Sequence, residues 1–187
     1  QEKSGSTGIF TGWMKKLVPD VWTTASGETF NTIFPGGTIP AGTFQGQTGS
    51  DGLANGVKAK DGSIGYAETS YAKERGLLIA SVQNNMGEFV QPTSAATAAF
   101  INGFAAGTNG AISIDYSNKV KGSYTIAGYT YAIAYTQDKN VGTQAIVRQF
   151  LGYVLDDCAK ESAAKLGYAP LTGALLALSN KQILLVN

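Results

Sequence analysis

Three hydroxyl residues and two glycines crowd into five consecutive positions, Ser4, Gly5, Ser6, Thr7 and Gly8. They run straight into Ile9, Phe10, Trp13, Met14 and Leu17, apolar residues that recur at helical spacing on one face. The spacing predicts a helix that begins within residues 4–7. The first N–H groups of any helix have no acceptor inside it, and they point the same way as the positive end of the helix dipole. With no bulky side chain in front of them and hydroxyls beside them, such donors can hold an anion. A serine N-cap that serves only the helix is the commoner use of the same pattern. Lys15 and Lys16 suit the negative end of the helix, and Pro19 stops it.

A second glycine-rich helix start follows at Gly46, Gln47, Thr48, Gly49, Ser50, Asp51 and Gly52, leading into Leu53, Ala54 and Val57. It is a second place where a ligand could approach the backbone. Asp51 would repel an anion there, which favours a simple cap at Ser50 or Asp51.

The remaining chemistry is narrow. Histidine is absent, which removes the commonest general base, the usual hydrolase triads and the common metal-ligand spacings. No catalytic residue, cofactor or metal is expected. The single cysteine, Cys158, has no internal partner and reads as a small, partly buried hydrophobe. Fourteen basic and thirteen acidic residues give a formal net charge of +1, with no basic stripe, so nucleic acid is not an expected partner. No apolar run is long enough to span a membrane, and no signal peptide is visible.

Elements alternate along the rest of the chain. Short strands are expected over 63–68 and 77–83, the latter turning through Asn84–Gly87 into Glu88, Phe89 and Val90. A short helix over 69–75 should end at Gly76. Pro92, Thr93 and Ser94 open an alanine-rich helix, with Ala98, Ile101 and Phe104 inward and Gly107 at its end. Residues 112–116 read as a strand. Residues 122–135 carry the clearest period-two signal, with Tyr129, Tyr131, Ile133 and Tyr135 alternating with small residues. An amphipathic helix over 143–156 has Ile146, Val147, Phe150, Leu151, Val154 and Leu155 as its stripe, and a last helix covers 172–186. The pattern predicts an α/β fold. Because a strand normally delivers the chain to a first helix, residues upstream of Gln1 are expected to be missing, by processing or because the chain is a fragment.

The opening, Glu2 to Thr7 followed by Phe10 and Thr11, resembles the D-x-S-G-T-T-x-x-F-T signature of the phosphate-binding proteins of Pst-type ABC transporters. The likeness continues through Gly46–Ala54, Gly62–Ala72 and Gly128–Ile133 to Leu166–Leu171. Five blocks in order cover essentially the whole chain. The resemblance implies a type II periplasmic binding protein fold, two α/β lobes joined by a hinge and incomplete here at the N-terminus. On that map residues 1–121 are most of the second lobe, and 122–187 are the returning part of the first. It implies inorganic phosphate as ligand, held by Ser4, Gly5 and Ser6, with Glu2 and Thr7 in support. Glu2 would brace a phosphate-binding arginine that falls immediately before Gln1, and the family's phosphate-sensing Asp also lies upstream. Ser6 departs from the usual Thr, which keeps the hydroxyl and loses a methyl. The resemblance further implies ABC permease subunits as partners and a monomer in the periplasm or on the outer face of the cytoplasmic membrane, with a lipid anchor an open option.

Two other readings stand beside it. One is a hydrolase using Ser4 or Ser6 as nucleophile, for which Lys3 is the only nearby base and Glu2 would keep it protonated. The other is a surface protein of the same fold without a transport role.

Overall fold

Gly5–Leu17 form the first helix (α1) in the computed structural model, which describes residues 3–107, 110–137 and 141–187. Ser4 is its N-cap, in extended conformation, and Lys15 and Lys16 lie in its last turn. The Val18 N–H closes its end on the Met14 carbonyl at 2.9 Å. Its most buried side chains are Thr7 and Thr11, whereas Ile9, Phe10, Trp13, Met14 and Leu17 are only half-buried. A hydroxyl can be buried when both its donor and acceptor roles are met. Thr11 Oγ1 donates to the Thr7 carbonyl at 2.8 Å and accepts from the Gly27 N–H at 3.1 Å.

Packing divides the chain into two compact units, Gln1–Pro92 with Tyr116–Lys119, and Thr93–Asp115 with Val120–Asn187. In the first unit, the helical turn α2 (Phe30–Ile33) lies within an aromatic cluster. Trp22 packs on Phe30 at 5.7 Å, and Phe30 on Phe34 at 5.8 Å and on Phe44 at 5.9 Å between ring centres. Helices α3 (Gly49–Ala59) and α4 (Thr69–Glu74) pack together. As the sequence predicts, Gly76 takes up a positive φ of 64° directly after α4. A two-stranded antiparallel hairpin follows, β1 (Val82–Gln83) with β2 (Phe89–Val90), in the register Val82 to Val90 and Gln83 to Phe89. Asn84 builds its turn: the side-chain oxygen accepts from the N–H groups of Met86 and Glu88 at 2.9 and 3.0 Å.

In the second unit, α5 (Ser94–Ile101) starts as predicted, with Thr93 Oγ1 accepting the Ala96 N–H at 3.1 Å. It ends earlier than predicted. Asn102, not Gly107, is the C-cap, and its amide donates to the Ala98 carbonyl while its oxygen accepts the Thr172 N–H. Phe100 is fully buried and meets Phe104 edge-on at 5.1 Å. Helix α6 (Val141–Tyr153) runs through a π-helical turn, Val154–Cys158, into α7 (Ala159–Ser162), and α8 (Gly173–Ile183) packs on α6. Cys158 is half-buried.

Most of the expected strands do not form. Residues 63–68 and 122–135 carry no strand ladder among the described residues, 77–83 is reduced to Val82–Gln83, and 112–116 to a single bridge between Ile112 and Ala106. A strand is stable only when a neighbour completes its hydrogen bonds. The result is a mixed structure, mainly helix with few strands. The period-two segment is buried at Ser123, Thr125 and Ala127, not at its aromatic positions: Tyr131 and Tyr135 are exposed and Ile133 is 96% exposed. On the predicted stripe of α6, Ile146 and Phe150 are likewise exposed.

Candidate functional site

At the start of α1 the Gly8 N–H donates to the Ser4 carbonyl at 3.1 Å. The N–H groups of Gly5, Ser6 and Thr7 come before it and have no acceptor within the helix. Ser4 occupies the N-cap position, yet its hydroxyl makes no cap bond. Its own N–H is held by the Glu28 carbonyl at 3.0 Å, which fixes the chain where it enters the helix. Gly5 is exposed, and a Cβ built there would meet nothing within 4 Å. No acidic residue lies in the first turn. Three backbone donors without an acceptor inside the helix, a cap hydroxyl that makes no cap bond and open space are therefore collected at one positive helix end.

One segment, residues 65–68, is pressed against two helix starts at once. The Tyr66 ring stacks on Phe10 of α1 at 4.5 Å between centres, and its hydroxyl shares a 2.8 Å hydrogen bond with Thr7 Oγ1. Gly65 lies close to α3, where an added Cβ would come within 2.7 Å of Leu53 Cδ2 and 3.0 Å of Val57 Cγ2. Glycine is what allows that approach. Held in this way, Glu68 receives two hydroxyl protons: Ser6 Oγ donates to Oε1 at 3.0 Å and Ser50 Oγ donates to Oε2 at 2.6 Å. Burial pushes the Glu68 carboxyl up, but the hydrogen bonds from Ser50, from its own backbone N–H and from Ser6 outweigh it and hold the group below the usual carboxylate range.

The start of α3 is a different environment. Thr48 is its N-cap without a side-chain cap bond, and Gly49 has a positive φ of 64°. The cap expected at Ser50 or Asp51 does not form: Ser50 is bonded to Glu68, and Asp51, in the first turn, is paired with Arg75. Arg75 also donates from Nε to Asn55 Oδ1 at 2.8 Å.

Of the residues singled out in the sequence, Ser4, Gly5, Ser6 and Thr7 thus lie together at the α1 start, and Thr7 turns inward to Tyr66. Glu2 lies outside the described residues. Glu68 joins this arrangement from the end of a segment that the sequence predicts as a strand, and its position directly before α4 is the signal that points to it. Among the described residues, no group of three or more His, Cys, Asp or Glu could hold a metal ion, and no helix is long and apolar enough to cross a membrane.

A family model described as a PBP superfamily domain matches residues 1–157. The chain is 27% identical over 180 residues to a protein of Haemophilus influenzae named phosphate-binding protein PstS, across 96% of this chain and 51% of that protein. It is 26% identical over 187 residues to the protein of that name from Methanocaldococcus jannaschii, across 91% of this chain and 46% of that protein. Alkaline phosphatase L of Pseudomonas aeruginosa is 27% identical over 179 residues, across 91% of this chain and 47% of its own length. The chain spans about half the length of the curated relatives it matches.

Proposed function

The chain belongs to the PBP superfamily of domains, and on that premise we propose that the protein binds inorganic phosphate outside the cytoplasmic membrane, as the substrate-binding component of a phosphate ABC importer. The observation that carries this reading is the α1 start: Ser4 sits at the N-cap without capping, beside Gly5 with open space before it. Backbone and hydroxyl donors there are neutral, and neutral donors hold a dianion when every oxygen is bonded and water is excluded. Ser4, Gly5 and Ser6 are the phosphate ligands, with Glu2 and Thr7 in support. The names of the similar proteins support phosphate as the ligand.

On this reading the fold is the two-lobed, hinged type II arrangement, with 1–121 supplying most of the second lobe and 122–187 the returning part of the first. Closure of the lobes on phosphate shifts an open–closed equilibrium that permease subunits recognise. The protein acts as a monomer in the periplasm or on the outer face of the membrane.

NMR titration of the 187-residue chain with phosphate tests the site. Saturable shifts of the Gly5, Ser6 and Thr7 amides in the roughly millimolar range are expected from neutral donors alone. Amides elsewhere responding while these three stay still would overturn it.

Catalysis is the weaker reading, although one similar protein is named a phosphatase. The carboxylate that holds the Ser6 proton has a lowered pKa, and lowering a carboxylate's pKa makes it a poorer base for an alcohol. Phosphomonoester hydrolysis that disappears in Ser4→Ala would restore the catalytic reading.

A further inference from the structure

The stretch 130–136 reads the same in both directions: Thr130, Tyr131, Ala132, Ile133, Ala134, Tyr135, Thr136. Two such strands, antiparallel about a twofold axis through Ile133, set every residue opposite its own type. Tyr131 faces Tyr135, Ala132 faces Ala134, Thr130 faces Thr136, and Ile133 faces itself. Aromatic and threonine pairs directly opposite each other favour strand pairing. A slip by one residue would set tyrosine against alanine and turn the large side chains of the two copies to opposite faces, so the residues specify one register.

The structure leaves this stretch available. Residues 131–135 carry no helix, turn or strand ladder, and Tyr131, Ile133 and Tyr135 are 53%, 96% and 79% exposed. Contacts within the second unit hold its flanks: the Tyr131 hydroxyl accepts the Ile112 N–H at 3.1 Å, the Tyr135 carbonyl accepts the Gln144 amide at 3.2 Å, and the Thr136 carbonyl accepts the Asn187 N–H at 3.0 Å. Among the described residues, the N–H and carbonyl groups of Ala132, Ile133 and Ala134 make no hydrogen bond. Charges and proline are the usual guards of an exposed strand, and neither occurs in 129–137. A net charge of +1 sets little repulsion between copies. We propose that 130–136 is a self-recognition strand whose partner is the same stretch of a second copy of this chain. Ala132 exchanges N–H and carbonyl bonds with the second copy's Ala134, and Ile133 meets its counterpart at the position between them, where side chains stand closest. The pair is in equilibrium with the monomer proposed above, and it is independent of the phosphate reading.

Sedimentation equilibrium of the 187-residue chain from roughly 1 μM to 1 mM tests this. The mass should rise to that of two chains, with a midpoint on the order of tens of micromolar. Ile133→Lys sets two cations face to face at an exposed position and should weaken association roughly tenfold or more. Oxidative cross-linking in a Cys158→Ala background reads the register. Ile133→Cys should link to itself much faster than Leu78→Cys, a fully exposed position in the first unit. Thr130→Cys should link slowly alone and quickly when mixed with Thr136→Cys. A chain that stays monomeric throughout overturns the proposal, as does association undiminished in Ile133→Lys, or Ile133→Cys linking no faster than Leu78→Cys.

Discussion

The starts of α1 and α3 are built from the same few residue types and differ in what those residues are needed for. Each has glycine at its first helical position and serine at its second, each has a hydroxyl residue at the N-cap without a cap bond, and each second-position serine donates to Glu68. At α3 the glycine serves the backbone, since φ is +64°, and the first turn already contains a carboxylate, Asp51, bound to Arg75. At α1 neither backbone nor packing asks for Gly5, and the first turn contains no acidic residue. A glycine with no structural duty at an open helix end is a better sign of a ligand than glycine content itself.

The largest way to break this contrast is to give α1 the acid that α3 has. Gly5→Asp should leave the helix intact, because Gly5 faces open space and acids suit a first turn, yet weaken phosphate binding by about 3 kcal/mol, more than a hundredfold. Calorimetry or amide titration with circular dichroism on the same sample reads both effects. Ser4→Ala comes next. It should reduce phosphate affinity by about 1–3 kcal/mol, whereas Asp51→Asn at α3 and Lys15→Ala at the far end of α1 should barely change it. Equal affinities across these three variants would make the α1 start a helix end and nothing more.

The two glycines should separate by stability. Gly49→Ala forces a left-handed conformation on an L-residue and should cost about 1–2 kcal/mol in denaturant unfolding. Gly5→Ala should be neutral or stabilise by about 0.4–1 kcal/mol, while its methyl group in the open space weakens phosphate binding. A Gly5→Ala chain that is destabilised as much as Gly49→Ala would remove the distinction.

The smallest expected effect concerns the residue the two starts share. The folded-state pKa of Glu68 lies below its ordinary value of 4.5. The stability it contributes is therefore fully present above that ordinary value and is lost as pH falls through the lowered folded one. Melting temperature followed through the acid range should fall less steeply in Glu68→Gln than in the wild type; identical profiles would show that the Ser6 and Ser50 bonds add nothing to stability.

How much of this was legible in the sequence depends on the range of the forces involved. Helix ends were readable at Ser4, Pro19, Gly76 and Thr93, because caps, glycine conformations and proline breaks act over a turn or less. Strands were not. The alternation at Tyr129, Tyr131, Ile133 and Tyr135 matches a period, but period alone does not supply the neighbouring strand, and the segment is buried instead at Ser123, Thr125 and Ala127. The α5 end was missed for a similar reason. Gly107 looks like a C-cap by type, while Asn102 holds that place through a bond to Thr172, 70 residues away.

The sequence by itself determined that a helix with no acid in its first turn starts at Ser4–Gly5–Ser6, since residue type and local spacing are enough to place a helix end and its free donors. Only the tertiary structure decided where the hydroxyl protons there point. Ser6 meets a carboxylate 62 residues along the chain, and Ser50 meets the same one 18 residues away. A hydroxyl is donor or acceptor according to what faces it, and no local pattern contains that neighbour.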